Sequence, residues 1–123
     1  MKRLHKHLSV CAYNVKAPPV TREEVESWVR RLCKEGIDMD IVAGPTCYYA
    51  ESEINRGWTC TAIIEFSDVS IHIWELEGLI EVDVFSCKWF DETKVFEMVE
   101  EFKPDRITYD LKDRQKDFRE YQL

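Results

Sequence analysis

The stretch FSDVSIHIWE, from Phe66 to Glu75, gathers residue types that do chemistry. Strand alternation sends Val69, Ile71 and Ile73 to one face and Ser70, His72 and Trp74 to the other. An ordinary surface strand fills its second face with Lys, Glu or Thr. This one carries a hydroxyl, the only histidine beyond position 7 and an indole, just after a Ser67-Asp68 turn. On the next strand Ile80, Val82 and Val84 share one face, and Leu79, Glu81, Asp83, Phe85 and Cys87 share the other. If both aliphatic faces meet one core, Cys87 falls on the same sheet face as His72. A thiol, an imidazole and a hydroxyl at a strand-turn-strand junction suit a Cys/His nucleophilic hydrolase, which needs His72 within hydrogen-bond reach of Cys87 and an oxyanion hole. No glycine-rich elbow flanks Cys87, which counts against that chemistry. Each residue alone also has a bland reading: a buried cysteine, a satisfied core histidine, a turn serine.

The elements that must position these groups are legible in the pattern. Leu8, Val10 and Ala12 alternate as a strand that Pro18-Pro19 ends. Thr21-Arg22-Glu23-Glu24 forms a capping box, and Val25, Trp28, Val29 and Leu32 then make an apolar helical stripe. Gly36 is the expected C-terminal cap. Residues 38–50 read as a strand with a bulge or break at Gly44-Pro45. Strands follow from Trp58 to Phe66, Val69 to Trp74 and Leu79 to Cys87, joined by short turns in an antiparallel meander. Asp91 caps a second helix with Val95, Met98, Val99 and Phe102 on one stripe. A last strand runs over Arg106 to Leu111, and a charged tail trails from it. The order β-α-β-β-β-β-α-β predicts an α+β two-layer sandwich, one antiparallel sheet with both helices on one face. Ser70, His72 and Trp74 then lie on the open face, toward a pocket or a partner.

The chain has 123 residues, 45% of them hydrophobic, which suits one domain over residues 1–123. Its four Trp, five Tyr and six Phe add burial power. A net charge of −7 without a basic patch argues against nucleic acid as a partner. The opening MKRLHKHLSV lacks the apolar region of a signal peptide, and no apolar run approaches membrane-spanning length. The five cysteines, Cys11, Cys33, Cys47, Cys60 and Cys87, are odd in number and include no CxxC. They are expected as free thiols in a cytoplasmic, reducing setting, with no metal site.

The stretch SDVSIHIWELEGLIEVDVFSC resembles the central motif of the prokaryotic S-adenosylmethionine decarboxylases. Ser67, Ser70, Ile71, His72, Trp74, Gly78, Val82, Asp83, Val84, Phe85 and Cys87 match it without a gap, with Cys87 fifteen residues after His72. His7-Leu8 also resembles the family's opening strand. The resemblance implies a pyruvoyl cofactor made from the chain itself. Ser67 attacks the Phe66 carbonyl, the ester eliminates, and the residue left behind hydrolyses to a pyruvoyl group, dividing the chain into 1–66 and 67–123. His72 would carry protons in processing, with Thr59 where the family often has an assisting serine. The pyruvoyl carbonyl takes the α-amine of a small-molecule substrate and draws electrons as the carboxylate leaves. Cys87 would return a proton to the product, and Trp74 and Ser70 would flank a cationic substrate. The family's small protomers pair, so a homodimer is implied.

Four positions depart from the motif. Phe66 and Asp68 replace the glutamate and histidine beside the reactive serine, Leu76 replaces a glutamate expected to hold ribose hydroxyls, and Lys88 replaces a glycine. Three functions therefore stand: an adenosylmethionine decarboxylase of spermidine biosynthesis, a pyruvoyl decarboxylase for arginine or ornithine, and an unprocessed homologue that binds a ligand or partner.

Overall fold

The computed structural model describes residues 5–116 and 118–123. Eight-residue strand β1, Lys6–Tyr13, is followed by helix α1, Arg22–Arg31. Strands β2 (Ile41–Ala50), β3 (Gly57–Ile64), β4 (Ser67–Trp74) and β5 (Leu79–Ser86) follow, then helix α2 (Glu92–Glu100) and strand β6 (Arg106–Asp113). The six strands form one sheet in the order β2-β3-β4-β5-β1-β6, and every neighbouring pair is antiparallel. The expected meander is β2 to β5. The first strand closes it by lying between β5 and β6, a long-range pairing that local pattern does not encode.

Both helices bury their stripes against one sheet face. Val25, Trp28 and Val29 of α1 and Val95, Met98 and Val99 of α2 join Leu8, Val10, Val69, Ile71, Val82 and Val84 in one continuous core. Trp28 ties the helices together: its Nε1 donates to the Met98 carbonyl at 3.3 Å, and its ring lies 4.9 Å from that of Phe102. The capping box forms as its residues dictate. The Glu24 amide donates to Thr21 Oγ1 at 3.1 Å, and Glu24 Oε2 reaches back to the Val20 amide at 3.1 Å. Asp91 caps α2 by accepting from the Thr93 amide at 3.0 Å. The bulge in β2 falls at the expected place, between Ile41 and Thr46.

Two expectations are corrected. Gly36 is not a left-handed cap. The α1 segment widens into a π-helical turn over Leu32–Gly36, and the positive φ of +54° falls on Asp38. Gly36 is there for space: a Cβ would lie 3.1 Å from Met98 Sδ and 3.2 Å from Leu32 Cδ1. Nor are all five cysteines free thiols. Cys47 and Cys60, direct partners across β2 and β3 and both on the core side, form a disulfide, while Cys11, Cys33 and Cys87 are free. Residues thirteen apart in sequence meet only once the β2–β3 register is set. Among the described residues, no helix is long and apolar enough to cross a membrane.

Among the described residues, no helix covers the second sheet face. That face presents His7, Ser9 and Cys11 from β1, Glu81 and Asp83 from β5, Asp68, Ser70 and His72 from β4, and Thr59 and Thr61 from β3. A face this polar, laid over a largely aliphatic one, is the candidate for chemistry.

Candidate active site

The β3–β4 hairpin positions the first group. Its turn is Glu65-Phe66, two residues earlier than the expected Ser67-Asp68 reversal, so Ser67 opens β4 opposite Ile64 and Ser86. Ser67 has a φ of +153°, a region that side-chain-bearing residues enter at a cost of about 1–3 kcal/mol. The strain sits at the Ser67 N–Cα bond, next to the peptide bond that follows the Phe66 carbonyl. That carbonyl accepts from the Cys87 amide at 3.0 Å, so one N–H polarises it. Cys87 emerges from the end of β5 beside the hairpin, with its Sγ 3.9 Å from Ser67 Oγ. A strained serine, a polarised carbonyl and an exposed thiol thus share one corner of the sheet.

Two of the motif's departures meet at this corner. The Lys88 ammonium lies 5.9 Å from the Phe66 ring centroid and donates to the Asp38 carbonyl at 3.3 Å. Phenylalanine in place of glutamate and lysine in place of glycine form a cation–π contact across the hairpin.

His72 belongs to a second cluster. Its Nδ1 lies 3.3 Å from Thr59 Oγ1, its direct partner on β3, and its ring centroid lies 5.9 Å from that of Trp74. His72 stands five residues along β4 from Ser67, ~16 Å at strand rise. The structure therefore brings Ser67 to Cys87, and Thr59 to His72 and Trp74, but it does not bring the two sets together within one chain. The Cys87–His72 pair of a hydrolase is not formed: His72 faces Glu81 across the β4–β5 ladder, six residues before Cys87.

Between the two clusters lies a cavity of about 220 Å3 lined by His7, Asp68, Ser70, Asp83, Phe85 and Arg114. Asp83 Oδ1 accepts from Ser9 Oγ at 2.6 Å and lies 2.9 Å from His7 Nε2. The Arg114 guanidinium stacks 4.1 Å from the Phe85 ring centroid. Ser70 thus lines this cavity, whereas Trp74 lines another, of about 420 Å3, with Val15, Pro18, Val20 and Ile73. Sequence reasoning gave no role to His7, Ser9, Asp83 or Arg114. The first three had a signal, the polar face of β1 and β5 opposite the alternating Leu8, Val10, Val82 and Val84. Arg114, beyond the last strand, had none.

Three comparisons bear on this geometry. The family model for S-adenosylmethionine decarboxylase matches residues 6–115. An S-adenosylmethionine decarboxylase proenzyme from Archaeoglobus fulgidus is 32% identical over 113 residues, covering 89% of this chain and 96% of that protein. The chain belongs to the S-adenosylmethionine decarboxylase family. The fold agrees: the crystal structure of the adenosylmethionine decarboxylase from Aquifex aeolicus superposes with a TM-score of 0.72 at 23% identity, over 92% of each chain.

Within this family, the departure at Leu76 now has a location. β4 ends at Trp74, and Leu76 stands 64% exposed in the turn that follows. Neighbouring Glu75 is engaged elsewhere, its Oε2 accepting from the Tyr49 hydroxyl at 2.9 Å.

Proposed function

We propose that this chain is a self-processing, pyruvoyl-dependent decarboxylase acting on S-adenosylmethionine for spermidine biosynthesis. The observation that carries the reading is the Phe66–Ser67 corner: backbone strain at Ser67, the Cys87 N–H on the Phe66 carbonyl, and the Cys87 thiol 3.9 Å from the Ser67 hydroxyl.

Processing follows from these atoms. Ser67 Oγ adds to the Phe66 carbonyl carbon as its proton passes to a base. The Cys87 N–H stabilises the developing oxyanion, and loss of the amide nitrogen leaves an ester and relieves the strain. Removal of the Ser67 α-proton then expels the Phe66 carboxylate. The enamine left on residue 67 becomes an imine, and water releases ammonia and leaves the pyruvoyl group. The residues around Ser67 fit such a group, since it would open the second chain directly before Asp68, which lines the 220 Å3 cavity. Once formed, it supplies an electron sink for decarboxylation. Asp68 and Asp83 on one side and Arg114 on the other offer both charge signs to a zwitterionic, cationic amino-acid substrate. The Cys87 thiol, 3.9 Å from Ser67 Oγ, would hand a proton to the product carbon.

His72 and Thr59 enter from a second copy. Along β4 His72 stands ~16 Å from Ser67, too far for proton transfer, and the odd spacing of five leaves His72 with Thr59 on the open face and Ser67 out of phase with them at the start of the strand. The reading therefore requires a second copy, related by a two-fold axis, to carry His72 of the partner subunit to Ser67. This reading makes the homodimer a condition of processing. A cytoplasmic setting fits the family's chemistry, although the Cys47–Cys60 disulfide is the kind of bond that oxidising compartments preserve.

One observation favours a second substrate. Exposed Leu76 offers no acceptor for ribose hydroxyls, and a compact amino acid such as arginine or ornithine needs none. Release of CO2 from carboxyl-labelled adenosylmethionine, arginine and ornithine separates the substrates. The proposal expects release from adenosylmethionine that is abolished in Ser67→Ala. Release from arginine or ornithine alone would transfer the assignment to the second reading, and release that persists in Ser67→Ala would end the pyruvoyl mechanism.

A further inference from the structure

Thr59, His72 and Glu81 occupy one row across three adjacent strands. Thr59 on β3 is the Cα partner of His72, and His72 is the Cα partner of Glu81 on β5. All three side chains project from the open face, and directly opposite Cβ atoms in such a ladder are about 4.5–5.5 Å apart. On the β3 side the imidazole is engaged, with Nδ1 3.3 Å from the Thr59 hydroxyl. On the β5 side stands a carboxylate of matching reach.

Glu81 has a second neighbour that holds it in place. Cys11, its partner on β1, donates its thiol to Glu81 Oε1 at 3.3 Å. The Cys11 thiol is pushed up, first by burial and then by this hydrogen bond, so it stays protonated and remains a donor. One oxygen of Glu81 is thereby anchored from β1; among the described residues the carboxylate makes no direct hydrogen bond to His72, so pairing with the imidazole needs a side-chain rotation across the ladder. The remaining acid close to this row is Asp83, diagonal to His72, whose Oδ1 is already shared by His7 and Ser9.

We infer that Glu81 is a positioning residue for His72: its carboxylate accepts from Nε2–H, fixes the neutral ring in that tautomer, and leaves the Nδ1 lone pair to receive the proton of the Thr59 hydroxyl. A carboxylate, an imidazole and a hydroxyl in this order form the relay by which an imidazole acts as a general base on a hydroxyl. Here the relay is built from one residue on each of three neighbouring strands, with a cysteine on a fourth steadying the acid. The inference rests on the proposed role of His72 in processing, but its test does not.

The test is the tautomer of His72, read from long-range 15N–1H couplings of histidine-labelled full-length protein, with His72→Asn to assign the signals. The uncleaved Ser67→Ala chain serves as background, so the spectrum does not depend on self-processing. With Glu81 present, the neutral ring should hold its proton on Nε2 by roughly tenfold or more, as a charge-assisted hydrogen bond dictates. In Glu81→Gln, whose amide can pair with either form, the preference should fall to within about threefold. Glu81→Ala, with the same expected loss, stands in if the glutamine variant does not fold. A tautomer preference unchanged by both substitutions would overturn the inference. Failure of the unsubstituted chain to cleave would instead count against the proposed function and leave this result standing.

Discussion

Ser67 carries a backbone conformation that glycine adopts freely and serine does not, and the strain lies next to the bond the chemistry would break. This gives a stability signature separable from activity. Neither Ser67→Ala nor Ser67→Gly can cleave, but alanine keeps the Cβ clash and glycine removes it. Urea unfolding should show Ser67→Gly more stable than Ser67→Ala by about 1 kcal/mol, the strain relieved less the entropy of an added glycine. Equal midpoints would mean that position 67 stores no strain. At this scale the sequence was informative about residue types and less so about geometry. Ser67, His72 and Cys87 were identifiable by type and spacing. The two-residue shift of the turn to Glu65-Phe66 was not, because a Ser-Asp pair has turn chemistry wherever it stands. The Phe66–Lys88 contact was hidden for another reason: two departures from a motif read as two losses until their side chains are seen to meet.

At the scale of elements, alternation and capping were legible because each acts within a few residues. Leu8, Val10 and Ala12 are buried as their period-two spacing dictates, and Thr21 and Glu24 close the capping box. Gly36 misled because a glycine after an apolar stripe usually ends a helix in the left-handed region. Here it makes room for Met98, which no local pattern announces. The Cys47–Cys60 bond and the insertion of β1 between β5 and β6 depend on register between distant segments, which single-sequence periodicity does not carry. The helix layer is held by Trp28, buried between α1 and α2 with its indole N–H on the Met98 carbonyl. Trp28→Ala should lower stability by about 3–5 kcal/mol in chemical denaturation, combining lost burial with a cavity. A loss below about 1 kcal/mol would show that the two helices do not depend on this contact.

At the scale of the whole molecule, one sheet separates a dry, largely aliphatic face from a polar one, and the groups of the proposed reaction lie at two places, His72 and Thr59 on the polar face and Ser67 with Cys87 at its corner. Their separation of ~16 Å along β4 makes the quaternary prediction specific. Chains bearing Ser67→Ala and chains bearing His72→Ala should each remain whole alone. When they are co-expressed, the His72→Ala chain keeps its Ser67 and gains His72 of the partner subunit, so a fraction of that chain should be cleaved. The Ser67→Ala chain should stay intact throughout. No cleavage in the mixed sample would place the proton carrier within the same chain and remove the dimer from the mechanism.

The central claim is that the strained Phe66–Ser67 corner makes its own cofactor. Intact mass of the purified protein under denaturing conditions tests it most directly. The account predicts two fragments, residues 1–66 and 67–123, with the second beginning in a pyruvoyl group in place of serine. A single unmodified chain of 14.6 kDa would contradict it and leave the polar face of Ser70, His72 and Trp74 as a binding surface.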